Sequence, residues 1–204
     1  MPSVYDLKPK FQALLRPLMR RLAGAGVTPN AVTLLALAGS LVVGVLTVQA
    51  AHNLVWLLLL PVWLFVRMAL NAIDGMMARE FALATPLGAV LNELGDALSD
   101  LGLYLPLAFV ASASRWPVVA FAIGAVLTEF CGVLGRALSA TRRYDGPMGK
   151  SDRAFVAGAL GLLTFVAPAV LNWWTWIFGL LAALTVVTCW KRLAGALNEL
   201  QTKG

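Results

Sequence analysis

Six polar side chains recur at helical spacing in a chain that is otherwise largely apolar. Arg67, Asn71 and Asp74 follow i, i+4, i+7, with Ala78 next at i+11, so they share one face of a helix. Asn92, Asp96 and Asp100 follow i, i+4, i+8 on a second segment, with Glu93 beside them and in line with Asp100. A short polar turn joins the two. Carboxylates and amides facing each other from two helices form a polar pocket, open to proton transfer and to binding charged groups. Ionisable groups at membrane depth are costly, which points to function.

The surrounding composition sets that depth. The chain has 204 residues, 60% of them hydrophobic, and a mean hydropathy of +0.80. That is the composition of an integral membrane protein, long enough for about six spans with short loops. The formal net charge of +6 is not spread evenly. Lys8, Lys10, Arg16, Arg20 and Arg21 precede the first apolar run. Arg142, Arg143, Lys150 and Arg153 share one loop, and Lys191, Arg192 and Lys203 follow the last run. Connections on the other side carry only Arg115. This positive-inside pattern predicts cytoplasmic termini and argues against nucleic acid as a partner. Cys131 and Cys189 lack paired spacing and read as packing residues, and His52 reads as a solvated loop residue.

The elements that must position the pocket follow in order. Phe11, Leu14, Leu15, Leu18 and Leu22 recur among basic residues within 3–24, predicting an amphipathic helix on the inner membrane face. Pro17 is a candidate kink or break in that helix. Thr28 and Pro29 suit the start of the first span. Spans are expected near 30–50, 54–79, 85–111, 116–141, 152–167 and 171–190. Trp173, Trp174 and Trp176 lie where an interfacial aromatic belt belongs. The second span descends to Arg79 and the third rises from Thr85, so at about 1.5 Å per residue Asp74 stands roughly 8 Å above its cytoplasmic edge. Asn92 and Asp96 stand roughly 10 to 17 Å above theirs, so the pocket opens to the cytoplasm. Arg67, Asp100 and Glu129 lie deeper and could form a buried ion-paired set.

The run Asn71-x2-Asp74-Gly75-x2-Ala78-Arg79-x8-Gly88-x3-Asn92-x3-Asp96 resembles the signature of the CDP-alcohol phosphatidyltransferases, D-x2-D-G-x2-A-R-x8-G-x3-D-x3-D. All spacings agree, and six of the eight defining positions are identical. The resemblance implies an all-α integral membrane fold: six transmembrane helices preceded by an amphipathic interfacial helix, pairing as a homodimer. It divides the chain into a juxtamembrane helix, 1–25, and a transmembrane domain, 26–204. The activity implied is transfer of a phosphatidyl group from a CDP-diacylglycerol-type lipid to a small alcohol or polyol, releasing CMP. The setting implied is the bilayer of a bacterial inner membrane, with the active site facing the cytoplasm.

Such chemistry calls for divalent metal, Mg²⁺ or Mn²⁺, to neutralise the pyrophosphate, and for a carboxylate to take the alcohol's proton. By resemblance Asp74 is a metal ligand, Asp96 a metal ligand or the general base, and Asn71 and Asn92 occupy the other two ligand positions. Gly75, Ala78, Arg79 and Gly88 would line the CDP site. Lys150 and Arg153, with Arg136, could bind the acceptor's phosphate or the lipid pyrophosphate, or simply face anionic lipid.

The two asparagines remove two negative charges, and three accounts stay open. Glu93 or Asp100 could restore charge; one metal could suffice, with Arg67 offsetting phosphate; or a CDP-lipid site could persist without turnover. A transporter is the third class of function, disfavoured because no polar set lines a path to the outer face. Thr128-Glu129 stands where glycerophosphate-using relatives often have Arg-Glu, which leans towards a less charged acceptor.

Overall fold

The computed structural model describes residues 4–110, 115–139 and 141–203. Among them seven α-helices follow in chain order. They are α1 (Val4–Gly24), α2 (Pro29–Thr47), α3 (Leu59–Glu80), α4 (Pro86–Tyr104), α5 (Arg115–Ser139), α6 (Lys150–Val166) and α7 (Trp174–Lys203). Short 3₁₀ segments at Val48–Ala51, Leu54–Leu58, Leu105–Phe109 and Pro168–Trp173 complete the turns at one end, and the described residues hold no strand. Four stretches are long and apolar enough to cross a membrane: 29–51, 54–80, 115–138 and 168–202. The regions of α4 and α6 are outside that set for a physical reason. Asn92, Glu93, Asp96 and Asp100 interrupt α4, while α6 has 17 residues and opens with Lys150, Asp152 and Arg153.

Helix starts are written into the sequence. Thr28 accepts the Ala31 N–H at 3.2 Å and Thr85 the Gly88 N–H at 2.9 Å, each followed by a proline in the first turn. Both helices then run side by side. A Cβ on Gly44 would lie 1.8 Å from the Gly102 carbonyl oxygen, so only glycine admits this approach of α2 to α4. α2 packs on α3 as well, whereas α3 and α4 make few close backbone approaches. The gap between these two consecutive helices is where the polar side chains meet.

α1 runs through Pro17 as one helix. Its apolar stripe divides: Leu15, Met19 and Leu22 pack with Ile73, Met76 and Met77 of α3, while Leu14 and Leu18 face outward. The main core is shared by α3 to α7, with Tyr104, Phe121, Phe178 and Trp174 in successive ring contacts at 5.1 to 5.6 Å. Trp173 and Trp176 are exposed as a belt requires, but Trp174 is buried and donates to Thr164 at 2.9 Å. α7 continues past the expected end at residue 190, and Glu199 of that extension pairs with Arg143. Leu35, Val45, Val62, Phe65, Phe130, Phe155 and Trp190 point outward, a surface suited to lipid.

Candidate active site

α3 and α4 aim the signature at the gap between them. Asp74 is 5% exposed and accepts a hydrogen bond from the Thr33 hydroxyl of α2 at 2.9 Å. One turn earlier, Asn71 donates through Nδ2 to Oδ1 of Asp96 at 3.2 Å, bridging the helices. That same oxygen faces Arg67 at 3.4 Å and the ammonium of Lys150, at the head of α6. Arg67 also donates to the Asp96 carbonyl at 3.0 Å. Asn92 is half-buried and has no hydrogen-bond partner among the described residues.

Behind this cluster lies a chain of buried ion pairs. Arg67 binds Asp100 at 2.5 Å, and Arg153 holds the other Asp100 oxygen through Nε at 3.1 Å and Nη2 at 2.7 Å. Arg153 also reaches Glu129 at 2.8 Å, Thr128 at 2.6 Å and the Met148 carbonyl at 2.8 Å. Arg142 joins Glu129, at 2.8 Å, to Glu93, and its guanidinium lies 5.0 Å from the Tyr144 ring centroid. Arg192 contacts the Thr128 carbonyl and lies 3.7 Å from Glu129. Buried carboxylates need such partners.

This geometry rearranges several expectations. Arg67, Asp100 and Glu129 do belong to one buried set, but Arg153 is what links Glu129 to it. Arg153 is 0% exposed and its donors are engaged by protein, so it offers no open face to a phosphate here. Asp100 is paired through both oxygens with Arg67 and Arg153, whereas Glu93 meets Arg142 through Oε1 only and its buried Oε2 has no hydrogen-bond partner among the described residues. Arg136 is exposed.

In the last turns of α3 Ala78 is half-buried, and the Arg79 guanidinium folds back over Gly75, where a Cβ would meet it at 3.3 Å. Gly88 is packed: a Cβ there would lie 2.8 Å from Asn30 Oδ1 and 3.1 Å from Thr85 Oγ1. A cavity of about 350 Å³ opens beside Asp96, bordered by Glu129, Arg142, Tyr144, Lys150 and Arg192. Sequence reasoning missed Thr33, Thr128 and Tyr144 as site residues, and read Arg142 and Arg192 only as inner-face cations. Thr33 carries no spacing signal. Arg142 and Arg192 stood out only as charges bordering apolar runs.

The signature and its geometry agree with the family comparison, in which the model for CDP-alcohol phosphatidyltransferases matches residues 26–190. The chain belongs to that family. Among relatives, the CDP-alcohol phosphatidyltransferase-family chain is 44% identical over 195 residues to the inner membrane protein YnbA of Escherichia coli K12, covering 96% of each. It is 31% identical to phosphatidylinositol phosphate synthase of Mycobacterium tuberculosis H37Rv, covering 90% of this chain and 85% of that one. The crystal structure of M. tuberculosis phosphatidylinositol phosphate synthase with CDP-DAG bound superposes with a TM-score of 0.77 at 21% identity, over 90% of this chain and 94% of that one. The same enzyme with manganese and citrate gives 0.76 at 22% identity, over 90% and 88%. These overlays share the fold. This family member is an integral membrane protein.

Proposed function

We propose that this chain is a metal-dependent phosphatidyltransferase, moving the phosphatidyl group of a CDP-diacylglycerol-type lipid to a small alcohol or polyol with release of CMP. The observation that carries the reading is that Asp96, bridged by Asn71 to the helix that carries Asp74, borders an open polar cavity. The residues fit a hard divalent ion, Mg²⁺ or Mn²⁺. Asp74 and Asp96 offer carboxylate oxygens, and Asn71 and Asn92 offer amide carbonyls. Asn71 donates through its nitrogen, which leaves its carbonyl available. When bound, such an ion neutralises pyrophosphate charge.

The rest is the work of this chain's own groups. Gly75, Ala78 and Arg79 line the cytidine side, with Gly88 holding the α2 and α4 starts together. The acceptor lies in the cavity beside Asp96, Lys150 and Arg142. Its oxygen attacks the lipid-bearing phosphorus, the bond from that phosphorus to the CMP oxygen breaks, and the acceptor proton passes to Asp96. Lys150 and Arg67 pair with Asp96 Oδ1 and keep the carboxylate turned towards the cavity. The relatives named phosphatidylinositol phosphate synthases favour a polyol acceptor.

The arrangement in the membrane is part of the same proposal. α2 to α7 make six crossings of a bacterial inner membrane, α1 lies along the cytoplasmic face as a separate juxtamembrane unit, both termini are cytoplasmic, and two copies pair. At about 1.5 Å per residue α4 and α6 are near 28 and 25 Å long, enough to cross most of a hydrocarbon core. Basic clusters at the α1 and 142–153 ends support the orientation.

The test is CMP release from CDP-diacylglycerol by the purified chain in mixed micelles, across a panel of alcohols and polyols, with Mg²⁺ or Mn²⁺. Acceptor-dependent CMP formation, lost in Asp96→Asn, is expected. A second reading, a CDP-lipid binder without turnover, draws on the two asparagines and the cations on Asp96. Saturable CDP-lipid binding with no CMP from any acceptor would establish it instead.

A further inference from the structure

Asp96 carries more cationic company than a carboxylate reserved for metals would. Arg67, Lys150 and the Asn71 amide all converge on its Oδ1. Thr33 occupies one oxygen of Asp74. Asp100 is held through both oxygens by Arg67 and Arg153, and Glu93 through one oxygen by Arg142. Among the described residues no three histidine, cysteine or acidic side chains converge on a metal-sized site. The signature's spacing is kept while its anionic capacity is halved, and a lysine stands where charge is short.

We propose that the site holds a single divalent cation, on Asp74 and Asp96, and that the Lys150 ammonium supplies the second positive pole facing the pyrophosphate. This rests on the phosphatidyltransferase reading for its substrate, but not for its metal count. Arg67 is spent on Asp100, so it adds no net charge. With Arg153 and Arg142 likewise matched by Glu129 and Glu93, the two aspartates, Lys150 and the buried Arg192 on the same cavity sum to zero, so one divalent ion leaves two net positive charges. A pyrophosphate diester is doubly negative, so the loaded site stays close to neutral. A second ion would leave excess positive charge in a poorly hydrated gap, at a Coulombic cost that low dielectric magnifies. Lys150 is suited to the role: it begins α6, borders the acceptor cavity, and its side chain is 30% exposed, so it can swing between Asp96 and a phosphate.

Mn²⁺ binding to the full-length chain in detergent, counted by loss of the free-ion electron paramagnetic resonance signal, tests this without turnover. One Mn²⁺ per chain is expected, with no dipolar broadening. Lys150→Met should still bind one, about tenfold more tightly, because Asp96 loses a competing cation. Adding Asn71→Asp and Asn92→Asp to Lys150→Met should raise the count to two, with a broadened spectrum from neighbouring spins. Two Mn²⁺ on the unaltered chain would overturn the proposal, as would none, or a second ion appearing in Lys150→Met alone. One bound Mn²⁺ with no CMP formation would refute the activity and leave the metal count standing.

Discussion

Replacing Arg153 by methionine removes the side chain that ties Asp100 to Glu129. The guanidinium is fully buried and makes five hydrogen bonds at 2.6 to 3.1 Å. Removing one partner of a buried ion pair costs about 3–5 kcal/mol. Here Asp100 keeps Arg67 at 2.5 Å, and Glu129 keeps Arg142 at 2.8 Å and Arg192 at 3.7 Å. The lower end, about 3 kcal/mol, is therefore expected, or a fall in Tm of about 6–12 °C for a chain of this size. Thermal unfolding in detergent, followed by tryptophan fluorescence, measures it. Arg153→Met with Glu129→Gln should recover part of the loss, since the freed carboxylate is then neutral. An Arg153→Met chain that melts within about 2 °C of the parent, while its KM for the acceptor rises severalfold, would refute the structural role. That outcome would make Arg153 a substrate ligand after all.

Asp74→Asn and Asp96→Asn should each lower CMP release by about 10²-fold or more in chains that still melt cooperatively, because they remove charge and the proton acceptor while an amide oxygen can keep the Thr33 and Asn71 hydrogen bonds. Chelation with EDTA should abolish turnover and added Mg²⁺ or Mn²⁺ restore it, assayed in the same micelles. Gly44→Val should cost about 1–3 kcal/mol or prevent folding, read as Tm and yield, since its Cβ would strike the Gly102 carbonyl. Glu80→Gln should shift Tm by less than about 4 °C, because the Arg16–Glu80 pair is solvent-exposed and worth about 0–1 kcal/mol.

What the sequence disclosed was what has a period or a local cause. Thr28-Pro29 and Thr85-Pro86 marked helix starts because a cap and a proline act within one turn. Asn71, Asp74, Asn92 and Asp96 were legible because spacing fixes which residues share a face, and the structure brings the α3 and α4 sets to one gap. The pairings themselves were not legible. Arg153 lies 53 positions from Asp100 and Thr33 lies 41 from Asp74, and no local rule links such residues. Counting charges could not reveal that Arg142, Arg153 and Arg192 turn inward, since basic residues beside apolar runs also suit the cytoplasmic face. Trp174 escaped for a similar reason: its neighbours Trp173 and Trp176 do face outward, and helical rotation alone turns it in.

The close seam between α2 and α4 has a consequence for how this chain can vary. Asn30 meets Gly88, Thr33 meets Gly95, and Leu41 and Gly44 meet Gly102, so two parallel helices keep a near-constant offset from their caps to their last turns. Inserting or deleting one residue within either helix would shift one of these ends by about 1.5 Å and rotate it by about 100°, turning Asp96 away from Asp74. The interval from Thr85 to Gly102 is therefore a fixed length, intolerant of gaps even where its individual side chains accept substitution. The turn from Phe81 to Ala84 lies outside that seam, and its length is held instead by the signature's eight-residue interval between Arg79 and Gly88.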